Sequence, residues 1–106
     1  MDDVFFKNPP LVSQKLRKSA KGQQCQVRLP GICNFDTETT VLAHLGGGGM
    51  GIKKDDIHAA FACSDCHDEI DRRTYKLTND YVELEHRRAV ERTKKIWLEM
   101  GLISVK

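Results

Sequence analysis

The chain has 106 residues, of which 17 are Lys or Arg, 15 are Asp or Glu, and 40% are hydrophobic. This length fits one compact domain and excludes two ordinary ones, and the apolar content excludes a chain that is disordered throughout. The longest stretch without Asp, Glu, Lys or Arg, residues 39–52, is too short to cross a bilayer. The first residues lack the pattern of a secretory signal. We therefore expect a cytoplasmic protein that has no membrane partner and keeps its thiols reduced.

The charges are distributed unevenly along the chain. Residues 1–24 carry five basic and two acidic side chains, residues 25–71 carry three and eight, and residues 72–106 carry nine and five. The acidic middle segment contains all four cysteines and three of the four histidines. This pattern indicates a cation site next to basic surfaces that could contact phosphate. On charge alone, the two flanks are equally consistent with ordinary solvated faces.

The N-terminal part is predicted to contain an irregular arm and a short basic helix. Residues 1–12 include two consecutive prolines, which disfavour helical backbone. Ser13 is a suitable N-cap for a helix that continues to about Lys21, and Gly22 is a suitable stop. We therefore divide the chain into an arm, residues 1–12, and a single domain, residues 13–106.

Two short strands and two helices are predicted in the rest of the chain. Residues 39–45 and 57–63 are short, mostly apolar segments that fit strands. Residues 64–73 form a predicted helix with acidic residues in its first turn, and a longer helix is predicted over residues 78–101. The apolar side chains of the long helix are predicted to form one core-facing stripe: Tyr81, Leu84, Val90, Ile96, Trp97 and Met100.

The four cysteines form two pairs with metal-ligand spacing. Cys25 and Cys33 are separated by seven residues that include a Pro-Gly turn, and Cys63 and Cys66 are separated by two. Four thiolates can close a tetrahedral zinc shell with Zn–S bonds of about 2.3 Å. The second pair lies at a predicted helix start, where backbone amides stabilise thiolate charge. We therefore predict a structural zinc held by all four cysteines.

Other uses of the cysteines remain open at this point. The pair Cys63 and Cys66 could be a thiol redox motif, but such a motif belongs to a longer βαβ unit and would leave the other pair unexplained. Two disulfides or four unrelated core cysteines are further alternatives.

A second group of metal-binding and titratable residues lies next to the predicted strands. His44 ends the first strand, Asp56 precedes the second, and His67 directly follows Cys66. If the zinc joins the two cysteine pairs, the strands form a hairpin, the next helix packs across it and the three side chains can converge. Imidazole and carboxylate groups bind divalent cations, and a free imidazole can accept a proton from water near neutral pH.

These motifs resemble a known family. Cysteine pairs that bracket a histidine at a strand end, followed by a Cys-x-x-Cys-His helix start, are similar to the zinc-stapled HNH endonucleases of the ββα-metal, treble-clef-like fold. More narrowly, residues 25–33, 42–44 and 62–73 resemble the small prophage-encoded HNH nucleases, over about residues 15–100. The resemblance implies an α+β fold: a ββα-metal core with a structural four-cysteine zinc, a short N-terminal helix and a long C-terminal helix.

The resemblance also implies a role for each residue of the second group. His44 would be the general base that deprotonates the attacking water, and His67 would be a ligand of a catalytic Mg²⁺ or Mn²⁺ ion. Asp56 would be a metal ligand or would orient His44. The implied activity is the hydrolysis of phosphodiester bonds in DNA with little sequence specificity. Basic residues would contact the nucleic-acid backbone: Lys15, Arg17, Lys18, Lys53, Lys54, Arg72 and Arg73.

The sequence departs from the family pattern at two positions. Many HNH sites carry His or Asp immediately before the base, where this chain has Ala43, and the middle Asn of the family corresponds to His58. Asp71, one helical turn after His67, is a reserve metal ligand, and we interpret His86 as a surface or helix-packing residue. The departures leave open a non-catalytic zinc-stapled module that binds nucleic acid or protein. RNA and branched DNA are alternative substrates, and the long C-terminal helix could form a dimer interface.

Overall fold

The computed structural model describes residues 14–45 and 56–104. Within these residues, the chain forms three α-helices and a two-stranded antiparallel sheet, which confirms the predicted α+β class and the short first and long last helices. The predicted arm, residues 1–12, and the predicted nucleic-acid residues Lys53 and Lys54 lie outside the described residues. In chain order the elements are α1 (Gln14–Ser19), a 3-10 turn (Thr37–Thr39), β1 (Val41–His44), a second 3-10 turn (Asp56–His58), β2 (Ala59–Ala62), α2 (Ser64–Ile70) and α3 (Asn79–Met100).

Both strands are shorter than predicted because 3-10 turns occupy their first residues. The Asp36 carboxylate caps the first turn by accepting a hydrogen bond from the backbone N–H of Glu38 at 3.0 Å. The strand therefore begins only at Val41. The second turn occupies Asp56–His58, so that β2 begins at Ala59.

β1 and β2 form the predicted antiparallel hairpin. Leu42 pairs with Phe61, and His44 pairs with Ala59. All four residues of β2 are buried, because helices pack on both of its faces. His44 is thereby held at the end of the hairpin that adjoins the second 3-10 turn.

Two apolar clusters lie on the two faces of the hairpin. One surrounds the cysteines and includes Ala43 and Ala60. The other joins α1 to α3 around Phe61, whose ring packs edge-on against Trp97 with ring centroids 5.6 Å apart. Trp97 Nε1 donates a hydrogen bond to Ser19 Oγ at 2.8 Å, which ties α3 to the end of α1.

α2 ends at Ile70, earlier than predicted. Arg72, two residues later, adopts a left-handed φ of +61°, which an α-helix does not accommodate. Glu69 is fully buried, and its carboxylate accepts hydrogen bonds from the backbone N–H groups of Lys76 and Leu77 at 2.8 Å each. This carboxylate therefore holds the segment that links α2 to α3.

α3 is capped at both ends, and it turns a different face to the core from the one predicted. Thr78 Oγ1 accepts a hydrogen bond from the N–H of Tyr81 at 3.2 Å, and Gly101 ends the helix with a φ of +77°. Tyr81, Leu84 and Met100 of the predicted stripe are exposed. No helix of the described segments has the length and apolar character needed to span a membrane. The buried face of α3 mixes apolar, small and polar residues: Val82, His86, Ala89, Val90, Thr93 and Trp97.

Candidate functional site

The four cysteines lie together where β2 meets α2. Their Sγ atoms are all within 4.8 Å of one another, and the Sγ atoms of Cys33 and Cys63 are 3.8 Å apart. Four sulfurs about 2.3 Å from a central ion form a tetrahedron with edges of about 3.8 Å. The cluster could therefore hold a metal ion, and a four-thiolate set suits zinc. A redox pair or two separate disulfides would not require all four sulfurs to be mutual neighbours.

Backbone amides point at the sulfur atoms. The N–H of Arg28 donates to Cys25 Sγ at 3.4 Å, and the N–H of Leu29 donates to Cys66 Sγ at 3.4 Å. The N–H of Cys66 donates to Cys63 Sγ at 3.4 Å, which makes Cys63 the N-cap of α2 as well as a candidate ligand. Such hydrogen bonds orient metal ligands and stabilise thiolate charge.

The crowding of the sulfurs shifts their pKa values in opposite directions. Burial raises the pKa of the Cys33 thiol to about 12, and the hydrogen bond to Cys25 raises the pKa of Cys66. The same hydrogen bond from Cys66 lowers the pKa of Cys25 to about 5. Four adjacent thiolates are therefore compatible with one another only around a cation, which is the role of the predicted zinc.

His44, Asp56 and Arg17 form a polar cluster at the other end of the hairpin. His44 Nε2 lies 2.7 Å from Asp56 Oδ1, and Arg17 Nε donates to Asp56 Oδ2 at 3.0 Å. The Asp56 side chain is fully buried, whereas those of His44 and Arg17 are 22% and 48% exposed. An ionised Asp56 requires a hydrogen on Nε2, which leaves the lone pair of a neutral His44 on Nδ1.

His44 also lines a cavity of about 480 Å³ between α1 and β1. Arg17 and Lys21 supply positive charge to its wall, Glu38 supplies a negative charge, and β1 supplies aliphatic surface. A phosphate group that enters this cavity would therefore meet cations next to the His44 ring.

His67 belongs to a different group of polar side chains. Its Nε2 lies 3.2 Å from Oδ2 of Asp71, one helical turn later. His86 of α3 is buried, and its Nε2 lies 2.7 Å from the carbonyl oxygen of Ala43. Burial lowers the pKa of His86, and the positive charge of Arg87 acts in the same direction; the bond to Ala43 and the Asp71 carboxylate oppose it.

The structure does not bring His67 into the cluster of His44 and Asp56. Over residues 14–45 and 56–104, the four cysteines are the only group of three or more His, Cys, Asp or Glu side chains whose ligand atoms all lie within 4.8 Å of one another. Strand alternation explains the separation. Leu42 and His44 share the face that packs on α1, whereas Ala43 belongs to the face that packs on α2.

The predicted nucleic-acid residues fall into two groups. Lys15 and Lys18 of α1 are exposed and form no ion pair with any residue that the structure describes. Arg72 donates hydrogen bonds to two backbone carbonyl groups, and Arg73 pairs with Asp68 at 3.0 Å. The two arginines after α2 are thus engaged within the fold, whereas the two lysines on α1 present their charge to solvent.

The sequence predicts a surface or helix-packing position for His86 and no specific contact. Its position four residues after Val82 and four before Val90 places it on the buried face of α3. That spacing could have identified it as a core residue, but its partner, the backbone of Ala43, could not be read from the sequence.

The hairpin, the helix that follows it and the four-cysteine cluster define a small α+β protein with a candidate metal centre. A family model described as "Putative nuclease YbcO" matches residues 14–102. The chain belongs to this family, and membership supports a nuclease function in general.

Individual relatives agree with this assignment. "Putative nuclease YbcO" of Escherichia coli (strain K12) and "Putative nuclease ybcO" of Enterobacteria phage 82 are each 50% identical over 91 residues, which cover 83% of this chain and 95% of each relative. A solved structure described as "Structure of a putative bacteriophage protein from Escherichia coli str. K-12 substr. MG1655" is similar with a TM-score of 0.71 and 45% identity, over 81% of this chain and 99% of that chain. The predicted relationship to phage-borne nucleases is confirmed, and the HNH subtype stays a prediction.

Proposed function

We propose that this protein is a zinc-stapled endonuclease of the HNH type that hydrolyses phosphodiester bonds in DNA with little sequence specificity. His44 acts as the general base, Asp56 orients it, and His67 and Asp71 hold a divalent cation, Mg²⁺ or Mn²⁺. The observation that carries the proposal is the 2.7 Å contact between His44 Nε2 and Asp56 Oδ1, next to a cavity with cationic side chains.

The contact between His44 and Asp56 is typical of a general base and its orienting group. The Asp56 side chain is fully buried, so water does not compete for the carboxylate. Because Nε2 donates to Asp56, Nδ1 is the atom that accepts the proton of the attacking water. Both oxygens of Asp56 already contact side chains, which favours the orienting role over the metal-ligand role.

His67 and Asp71 are suitably placed to hold the divalent cation. Two ligands at right angles and about 2.1 Å from Mg²⁺ stand about 3.0 Å apart. The observed distance from Nε2 to Oδ2 is 3.2 Å, and the two side chains are 28% and 40% exposed. Water and phosphate oxygens could therefore complete the coordination. When bound, the cation would offset charge on the phosphate and stabilise the leaving oxygen.

The separation of His44 from His67 suits an in-line displacement. The attacking water and the leaving oxygen stand on opposite sides of the phosphorus atom. A base and a leaving-group site therefore act from opposite sides, so an in-line displacement does not require His44 and His67 to belong to one cluster. Lys15 and Lys18 would hold the DNA backbone through sequence-independent contacts to phosphate.

A non-catalytic zinc-stapled binding module is the second candidate, and Ala43 favours it. This residue is 1% exposed and stands where many HNH sites carry a metal ligand. Only His67 and Asp71 would then remain as protein ligands near this position. Such a module would bind zinc and a nucleic acid or protein, but no second cation.

The deciding experiment is the nicking of supercoiled plasmid by the wild type and by three variants in the presence of Mg²⁺ or Mn²⁺. We expect His44→Ala to lose about 10²-fold to 10⁴-fold in rate, because that is the usual contribution of a general base. His67→Ala should lose both activity and Mn²⁺ binding. Glu91→Ala is the control, because the Glu91 side chain is 74% exposed on α3 and has no proposed role; its activity should stay close to that of the wild type.

Equal nicking by the wild type and His44→Ala would remove His44 from the mechanism and point to a contaminating nuclease. Absence of cleavage of duplex, single-stranded and branched DNA and of RNA would favour the binding module. In that case, titration with Mn²⁺ should also detect no site beyond the four cysteines.

A further inference from the structure

Arg17 connects helix α1 to the pair formed by His44 and Asp56. Its Nε donates to Asp56 Oδ2 at 3.0 Å, on the opposite oxygen from the one that contacts His44. We propose that Arg17 is a positioning residue, which fixes the tautomer of His44 through Asp56, and that contact with nucleic acid is not its main role. The proposal rests on the proposed function of His44 as the base.

The negative charge of an ionised Asp56 requires compensation within the fold. Its side chain is fully buried, and a buried carboxylate is strongly unfavourable unless a cation and hydrogen bonds compensate it. A neutral His44 donates a hydrogen bond to Asp56 but supplies no net charge. Arg17 supplies the positive charge, and it keeps that charge at every pH at which proteins are studied.

Removal of the guanidinium takes the charge of Arg17 away from Asp56, and either of two proton shifts within the pair of Asp56 and His44 would offset the loss. Asp56 can take up a proton and donate it in a hydrogen bond to His44 Nε2, or His44 can become an imidazolium that pairs with the carboxylate. In both cases His44 Nδ1 carries a hydrogen. The ring then has no lone pair on Nδ1 that could accept a proton from water, so both outcomes inactivate the base.

The neighbouring cations of α1 do not share this position. Lys18 directly follows Arg17, is exposed and forms no ion pair with a described residue. It carries the same charge and would contribute equally to long-range attraction of nucleic acid. Lys18→Gln is therefore a matched control for the loss of one positive charge from this helix.

The test compares Arg17→Gln, Arg17→Lys and Lys18→Gln with the wild-type protein in two measurements. The first is kcat together with the dissociation constant for a non-cleavable oligonucleotide. We expect Arg17→Gln to lower kcat by at least about tenfold, as part of the contribution of the base. Its dissociation constant should change no more than that of Lys18→Gln. Arg17→Lys retains a cation near Asp56 and should recover part of kcat.

The second measurement does not depend on activity. Long-range ¹⁵N–¹H NMR at neutral pH reports which ring nitrogen of His44 carries a hydrogen. We expect an unprotonated Nδ1 in the wild type and Lys18→Gln, a protonated Nδ1 in Arg17→Gln, and a mixture of the two states in Arg17→Lys. Melting curves of all four proteins identify any variant that does not fold. If Arg17→Gln does not fold, Arg17→Lys is compared with the wild type instead, and we expect a smaller shift of the His44 Nδ1 signal in the same direction.

An unprotonated Nδ1 in folded Arg17→Gln would overturn the positioning role whatever the activity. Equal effects of Arg17→Gln and Lys18→Gln on binding, with kcat unchanged in both, would make Arg17 an ordinary nucleic-acid contact. If the wild type cleaves no nucleic acid, the proposed function fails, and the NMR result still decides whether Arg17 sets the tautomer.

Discussion

Removal of zinc is expected to unfold this protein. Three of the four cysteines are buried in the apolar cluster around the proposed metal, and the other buried members of that cluster on the hairpin are alanines: Ala43, Ala60 and Ala62. Alanine side chains bury little surface, so the strands contribute little to this cluster, and its larger buried members come from other segments: Val27, Leu29, Val82 and Val90. Structural zinc contributes about 10–16 kcal/mol in small zinc domains. The whole stability of an ordinary domain is about 5–15 kcal/mol.

The two magnitudes imply that a strong chelator should abolish the cooperative thermal transition and not merely lower its midpoint. Circular dichroism reports the helices, and the fluorescence of Trp97, the only tryptophan, reports the second apolar cluster on the other face of the hairpin. A red shift of Trp97 emission on chelation would indicate that unfolding reaches that cluster. Re-addition of zinc should restore both signals, and added Mg²⁺ should not. An unchanged melting temperature after verified removal of the metal would refute the four-cysteine assignment.

Two further predictions concern buried polar contacts. Thr93→Val should destabilise the fold by about 1–3 kcal/mol in urea denaturation, because the N–H of Phe61, which donates to Thr93 Oγ1 at 3.0 Å, would lose its partner; an unchanged urea midpoint would contradict this. Burial opposes ionisation of Glu69. Hydrogen bonds from Thr74 and from backbone N–H groups, together with the charge of Arg72, favour it more strongly, so the pKa of Glu69 lies below its ordinary value of 4.5. Its contribution to stability is therefore complete above about pH 4.5 and is lost as the pH falls through the lower folded-state pKa. Glu69→Gln should remove that acid-dependent part of the stability curve, and equal acid sensitivity in both proteins would assign it to other carboxylates.

The cysteine cluster was predictable from the sequence because its determinants are local. Two cysteines at Cys-x-x-Cys spacing at the start of a helix are a common zinc-binding motif, and a second cysteine pair completes the usual set of four ligands. The hairpin could also be predicted, because one ion bound by both cysteine pairs brings the two ends of the intervening chain together. The two strands between the pairs then lie side by side and antiparallel. The strand ends were less predictable, because the hydrogen bond between Asp36 and Glu38 favours a 3-10 turn over extended backbone.

The buried face of α3 was not predictable from apolar letters alone. His86 and Thr93 are buried because they satisfy backbone groups of the hairpin, the carbonyl of Ala43 and the N–H of Phe61. A stripe counted from hydrophobic residues excludes both and includes Leu84, which is 45% exposed. Which face of a helix is buried depends on what the partner strand leaves unpaired, and that is a property of the tertiary structure.

The position of the proposed base depends on the register of the hairpin. A slip of one residue between β1 and β2 would exchange the faces of Ala43 and His44, because side chains alternate along a strand. His44 would then enter the alanine-lined cluster, away from Asp56, and of the β2 side chains only Phe61, packed against Trp97, is large enough to oppose such a slip. Cys63 directly follows β2, so a metal bound there fixes the end of that strand against the segment of Cys25 and Cys33. A metal held by the four cysteines would therefore act on the proposed chemistry from the far end of the hairpin, by determining which face of β1 carries the imidazole.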